Sequence, residues 1–317
     1  MPKKKIKVLS LFDGMSCGQI ALNRAGFEVE SYSASEIDKH AISAAMANYP
    51  NTIQLGDVRL VSALDVDNID LLIGGSPCQG FSFAGKQLNF EDPRSKLFFE
   101  FVRLLEETKP KYFLLENVKM NQESKDVISK YLGVEPIEIN SALVSAQNRK
   151  RLYWTNIPNV TQPEDLGILL EDIIEEGKVD RAKSYCIDAN YAKGGSPKQY
   201  FEKSRRQLVF DTNGTKHAPN VWRAPYFEPY RISRPTKLSA DKFPCLRSKA
   251  GSRTGGVAVE REDGFWRKLT PVECERLQTV PDGYTAKGGA SNTQRYKMLG
   301  NGWTVDVIAH ILKNMKL

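Results

Sequence analysis

One cysteine, a few carboxylates and a pair of arginines set the chemical possibilities of this chain. Cys78 lies in Gly75-Ser76-Pro77-Cys78-Gln79-Gly80-Phe81-Ser82, directly after the apolar run Ile69-Asp70-Leu71-Leu72-Ile73. A strand that ends in small residues and then turns presents a thiol at the rim of a sheet. There a helix terminus or a nearby cation can stabilise the thiolate, a strong nucleophile. The plainer alternative is a small buried hydrophobe, which is what most free cysteines are. Glu116-Asn117-Val118 follows the apolar run Tyr112-Phe113-Leu114-Leu115 and supplies a carboxyl at a second strand end. Gln147-Asn148-Arg149-Lys150-Arg151 precedes Leu152-Tyr153-Trp154, and in an extended strand Gln147, Arg149 and Arg151 would share one face. Two guanidiniums there can donate to carboxylate or phosphate.

The elements that must position these groups alternate along the chain. Residues 6–12 read as a strand, Asp13-Gly14-Met15-Ser16-Cys17-Gly18 as a turn, and 19–25 as a helix stopped by Gly26. A second strand over about 28–35 leads to Glu36-Ile37-Asp38 and an Ala-rich helix over 39–48. Strands over 69–73 and 112–115 flank a helix over about 95–108. Short buried strands alternating with helices indicate an α/β fold with a doubly wound, mostly parallel sheet. Ligands bind such sheets at the carboxyl ends of the strands. Asp13, Glu36, Asp57, Cys78 and Glu116 each follow a predicted strand, so they are expected to share one rim. Glu36, 18 residues past Gly18, is placed to accept hydrogen bonds from a ribose diol. No Gly-x-Gly-x-x-Gly or Walker sequence is present, which argues against a pyrophosphate-bearing cofactor.

From about 181 the texture changes. Gly, Pro and Asn-Gly turns punctuate a segment with aromatic and basic residues interleaved, such as Trp222-Arg223, Tyr230-Arg231 and Phe265-Trp266-Arg267. This predicts a smaller, loop-rich, mainly β domain over 181–286, inserted into a catalytic and cofactor-binding domain made of 1–180 and 287–317. Of the 45 Lys and Arg in the 317 residues, 18 fall within 181–267, against 8 of the 38 Asp and Glu. The net charge of +7 is therefore concentrated there, which points to a polyanion partner. The five cysteines show no Cys-x-x-Cys spacing, so neither a metal site nor a disulfide framework is expected. No apolar stretch has the length of a membrane span and no signal segment is evident, which favours a cytoplasmic location.

Pro-Cys-Gln, Glu-Asn-Val and Gln-x-Arg-x-Arg in this order resemble the motif set of the cytosine-C5 DNA methyltransferases. The resemblance covers 6–154 and 267–312. It includes Phe12-Asp13-Gly14-Met15-Ser16-Cys17-Gly18, where the second glycine of the family's turn is displaced. It also includes Leu299-Gly300-Asn301-Gly302-Trp303, where Gly302 replaces a common Ser. The resemblance implies a Rossmann-like methyltransferase fold and transfer of a methyl group from S-adenosylmethionine, which leaves S-adenosylhomocysteine. Its acceptor is C5 of a cytosine flipped out of duplex DNA. Because that cofactor lacks phosphate, one turn glycine suffices. Cys78 would add to C6 so that C5 becomes nucleophilic, and Glu116 would serve N3 with its carboxyl kept protonated by burial. Arg151 would contact O2, with Arg149 in support. Phe12, Asp13, Gly14, Ser16, Gly18, Glu36, Ile37, Asp57, Val58, Pro77, Leu97, Asn301 and Trp303 would form the cofactor site, Asp57 on the adenine amino group. The loop 80–96 would close over DNA, with Gln79, Ser82, Gln147, Arg247, Lys249 and Arg253 as DNA contacts. The expected partner is double-stranded DNA, without membrane or metal. The protein is expected to be monomeric, and a separately encoded restriction endonuclease is a further candidate partner. Three alternatives compete. A tRNA-methylating relative has Pro-Cys-Gln-Pro-Phe in place of Pro-Cys-Gln-Gly-Phe. A non-catalytic DNA-binding homologue should have lost one of the reactive groups. A nicotinamide-dependent oxidoreductase should keep the phosphate-binding glycines.

Overall fold

The computed structural model describes residues 4–76, 96–193, 199–200, 203–211, 221–223 and 265–316. Strands β1 (Lys4–Leu11), β2 (Phe27–Ser35), β3 (Ile53–Gln54), β4 (Leu71–Gly74), β5 (Tyr112–Val118), β6 (Ile137–Asn140) and β7 (Lys150–Thr155) form one sheet in the order β3-β2-β1-β4-β5-β7-β6. The first five are mutually parallel, and β7 runs antiparallel to both β5 and β6. Both faces of the sheet are covered, so its central strands are apolar in consecutive rather than alternate positions. Ile6, Val8, Leu71, Ile73 and Leu114 face one core with α1 (Cys17–Arg24), α2 (Lys39–Asn48) and α7 (Val305–Leu312). Leu9, Leu11, Leu72, Phe113 and Leu115 face the other, against α3 (Lys96–Thr108) and α4 (Gln122–Leu132). Helix α3 presents Phe98, Phe101, Val102 and Leu104 to it, the spacing of one helical stripe.

The order reverses at β1, whose neighbours are β2 and β4. In such sheets the crevice opens where connections leave in opposite directions. The first turn is shaped for close packing. A Cβ on Gly18 would lie 2.5 Å from Ile73 Cδ1 and 2.6 Å from the Tyr32 hydroxyl, so only glycine lets α1 settle on the sheet here.

Two expectations change. Glu116 lies within β5 rather than beyond it. The segment 269–286, assigned from sequence to the smaller domain, shares the apolar cluster of the main sheet through Leu269, Cys274, Leu277, Val280 and Tyr284, as do Ile187, Tyr191 and Val209 before it. Its helix α5 (Pro271–Leu277) has the anticipated Thr270 cap, here a full capping box with Glu273, and Pro271 in its first turn. Before it, β8 (Leu208–Asp211), β9 (Val221–Arg223) and β10 (Phe265–Lys268) form a separate antiparallel sheet in the order β8-β10-β9. Helix α6 (Asn292–Asn301) completes the main body. No helix among the described residues is long and apolar enough to cross a membrane.

Candidate active site

A cleft of about 790 Å³ opens at the carboxyl ends of the parallel strands. Its size is that of a small-molecule site. At one end the carboxylate of Glu36 is fixed by three backbone donors: Gly14 N–H at 2.8 Å on Oε2, and Ile37 N–H and Asp38 N–H at 2.7 and 2.8 Å on Oε1. Gly14 adopts φ +60°, the left-handed geometry that lets the turn aim its N–H at Glu36. Ile37 is 75% exposed although apolar, and lines the cleft beside Asp57, Val58, Leu97 and Phe12. Asp57 caps a short 3₁₀ turn and is paired with Arg59, which holds its carboxyl down at about 2. Arg59, Lys297 and Arg151 are committed to Asp57, Asp38 and Glu116 respectively.

At the other end, strand periodicity places the reactive groups. Glu116 shares the face of Leu114, and Arg151 shares the face of Tyr153. Glu116 pairs across the ladder with Tyr153, so Arg151, two residues away, is its diagonal neighbour on the same face. Arg151 Nε lies 3.0 Å from Glu116 Oε1, with both side chains largely buried. Burial opposes the charge on Arg151, but Glu116, Cys186 and Tyr153 together outweigh it and raise its pKa. Trp303 Nε1 donates to Glu116 Oε2 at 3.2 Å. Asn117 Nδ2 donates to Ser76 Oγ at 3.1 Å, tying β5 to the chain two residues before Cys78.

Most of the residues anticipated from sequence line this one cleft. Asp13, Asn301 and Arg149 do so along with those above. Pro77, Cys78, Gln79, Ser82, Arg247, Lys249 and Arg253, and most of the 80–96 loop, lie outside the described residues. Four residues take other roles. The buried Asp13 carboxyl accepts from Ser10 and Tyr32 at 2.6 and 2.7 Å and from Ser16, so it organises the turn from within. Ser16 and Gly18 are buried beneath that turn and do not line the cleft. Gln147, expected to meet DNA, is fully buried. It donates to Leu277 O at 3.0 Å and accepts from Ile187 N–H at 3.0 Å. Its chain is not yet in β7, so the strand alternation that governs Arg151 does not extend to it.

Arg149 also differs from its neighbour. Its guanidinium donates to Ile187 O (3.2 Å), Gly300 O (3.3 Å) and Gly302 O (2.9 Å), holding the end of α6 in place. Sequence reasoning missed Lys297 and Asp38, which line the cleft as an ion pair at 2.6 Å. It also missed the contact of Trp303 with Glu116. Neither has a local signal, since each joins distant parts of the chain. Among the described residues, no cluster of His, Cys, Asp and Glu is arranged to hold a metal ion.

The family model for the C-5 cytosine-specific DNA methylase matches residues 6–317. The chain is 36% identical to the orphan methyltransferase M.SPRI of Bacillus phage SPR, with 98% of this chain and 97% of that protein covered. It is 30% identical to the type II methyltransferase M1.ScrFI of Lactococcus lactis subsp. cremoris, covering 98% and 78%. Among solved structures, the methyltransferase EhMeth of Entamoeba histolytica superposes with a TM-score of 0.69 at 16% identity, over 98% of both chains. DNMT2 of Spodoptera frugiperda gives 0.62 at 20%, over 98% of this chain and 99% of that one. These last two likenesses concern the fold alone. Motifs, cleft and family match converge: the chain belongs to the C-5 cytosine-specific DNA methylase family.

Proposed function

We propose that the protein methylates C5 of a cytosine turned out of duplex DNA, with S-adenosylmethionine as donor and Cys78 as a transient covalent nucleophile. The observation that carries this reading is a single cleft. It joins a rim that holds Glu36, Asp57 and the exposed Ile37 to a buried carboxylate–guanidinium pair, beside the strand that leads into Cys78. The cofactor, when bound, supplies an electrophilic methyl group on a sulfonium.

The cleft suits that cofactor in three respects. Glu36, held by backbone donors, keeps lone pairs for a ribose diol. Ile37 offers an apolar surface to a purine face. Asp57 is an acceptor for an exocyclic amino group, and its depressed pKa keeps it one across the working pH range.

At the base, the Cys78 thiolate attacks C6, and the C5=C6 pair shifts toward C5. The Glu116 carboxyl donates its proton to N3, where electron density accumulates, and takes it back when the C5 proton leaves; Arg151 donates to O2 while holding Glu116 in place. C5 then takes the methyl group. Loss of the C5 proton to a base releases the thiolate and restores the aromatic ring. The ring edge is inaccessible inside a stacked duplex, so the base must leave the helix first. The basic 181–267 segment supplies the complementary charge for the DNA.

The test is incorporation of labelled methyl groups from S-adenosylmethionine into unmethylated duplex DNA, with transfer RNA as a parallel arm and bisulfite sequencing of the DNA product. Methylation of cytosine in DNA is expected. Modification of transfer RNA alone would overturn the assignment of substrate.

A further inference from the structure

We propose that Trp303 is a positioning residue for the transfer step: its indole N–H fixes the Glu116 carboxylate and links the end of α6 to the base-binding end of the cleft. The inference rests on the reading of Glu116 as the group that serves the base.

Three observations support it. First, the two carboxylate oxygens of Glu116 are held by donors from different elements, Arg151 Nε on Oε1 at 3.0 Å and Trp303 Nε1 on Oε2 at 3.2 Å. An indole N–H donates and never accepts, so this contact can only stabilise an acceptor oxygen in one orientation. Rotation of Glu116 breaks both bonds together.

Second, the backbone that presents the indole is immobilised from several sides. Gly302 O accepts from Arg149 at 2.9 Å and from Gln278 at 3.1 Å, and Trp303 O accepts from the Cys17 thiol at 3.8 Å. A Cβ on Gly302 would lie 2.8 Å from Met15 Cε, so glycine lets this turn press against the first turn of the sheet.

Third, room is left for the contact. A Cβ on Gly75 would fall 2.9 Å from Trp303 Nε1 and 3.1 Å from Glu116 Oε2. Any side chain at 75 would wedge against both partners. Glycine at 75 and tryptophan at 303, 228 positions apart by their numbers, thus make sense as one arrangement. The same turn carries Asn301 into the cleft, so a ligand that orders the end of α6 also orders the carboxylate.

Trp303→Phe keeps the ring and removes the donor. Its test is single-turnover methyl transfer to unmethylated genomic DNA, alongside calorimetric binding of S-adenosylhomocysteine and thermal unfolding. Loss of one hydrogen bond to a charged acceptor predicts transfer roughly tenfold to a hundredfold slower. Affinity for S-adenosylhomocysteine should stay within about threefold, because the purine and ribose contacts lie at the other end of the cleft. Weakened cofactor binding with an unchanged rate at saturation would overturn the proposal and make Trp303 a wall of the cofactor site. Trp303→Leu, read in the same way, serves if the Phe variant does not fold. Glu116→Gln separates the two readings. If it is inactive while W303F transfers at the normal rate, the positioning role fails and the assignment of Glu116 stands. If Glu116→Gln is as active as the parent, that assignment fails as well.

Discussion

The two ends of the cleft are held together by different means. At the end proposed for the cofactor, fixation is mostly local: Glu36 is held by the N–H groups of its two successors and by that of Gly14, 22 residues earlier, and Asp57 by Arg59, two residues away. At the base end it is long-range: Glu116 depends on Arg151 from β7 and on Trp303, 187 positions downstream. That end needs only the turns after β1, β2 and β3, which are neighbours in the sheet. The base end exists only when β5, β7 and α6 are all in register. Damage to the cofactor end should therefore change affinity in proportion to the bond removed, whereas damage to the base end should change the rate and spread to its neighbours.

The largest effect expected is that of Cys78→Ser. Transfer should fall by more than about a thousandfold, since the nucleophile is lost, while cofactor affinity stays within about tenfold. A radiolabelled methyl-transfer assay and calorimetry read the two quantities separately. A large loss of cofactor binding would break the division between the two ends. Next in size is Arg151→Met. Removing one partner of a largely buried pair strands the other, so transfer should fall about a hundredfold or more while cofactor affinity changes little. At the opposite end, Glu36→Gln should weaken cofactor binding about tenfold and leave the transfer rate at saturating cofactor nearly intact. That split in KM and kcat sharpens the comparison, and a fall in kcat alone would contradict it.

Asp13 gives the smallest expected effect, and it appears in stability rather than rate. Burial pushes its carboxyl up to about 6, with the hydrogen bonds from Ser10, Ser16 and Tyr32 only partly offsetting the shift. A carboxyl in the unfolded chain titrates near 4. Between those values the native protein holds a proton that the unfolded chain has released, so its stability falls as pH rises through that window. Asp13→Asn should lack this decline. Urea unfolding at pH 4 and at pH 7 checks it, through the change in the difference between parent and variant.

What the sequence revealed follows the same division. Glu36, Gly14 and Asp57 were legible as residues of the cleft because each sits just after a strand. The order of strands and helices through β5 was legible for the same reason, from apolar runs and turn residues. The antiparallel entry of β7 between β5 and β6 was not, because pairing direction has no local signature. Gln147 was misread as facing DNA for want of knowing where β7 begins. Its carboxamide instead bridges Leu277 and Ile187, both more than 30 residues away. Ser16 and Gly18 resembled ligand contacts because they lie in the right turn, yet they serve the packing beneath it. Segment 269–286 looked continuous with the basic region before it, and both send apolar residues into the cluster under the main sheet, Leu277 and Tyr284 from one and Tyr191 and Val209 from the other.

The central claim is a covalent bond between one sulfur and one pyrimidine carbon. It is tested most directly with duplex DNA in which 5-fluorocytosine replaces cytosine at the methylated sites, incubated with the protein and S-adenosylmethionine. Fluorine cannot leave as the C5 proton does, so the account predicts a protein–DNA adduct that survives denaturation, maps to Cys78 by mass spectrometry and is absent in Cys78→Ser. Transfer to ordinary DNA without any such adduct on its fluorinated counterpart would contradict the account.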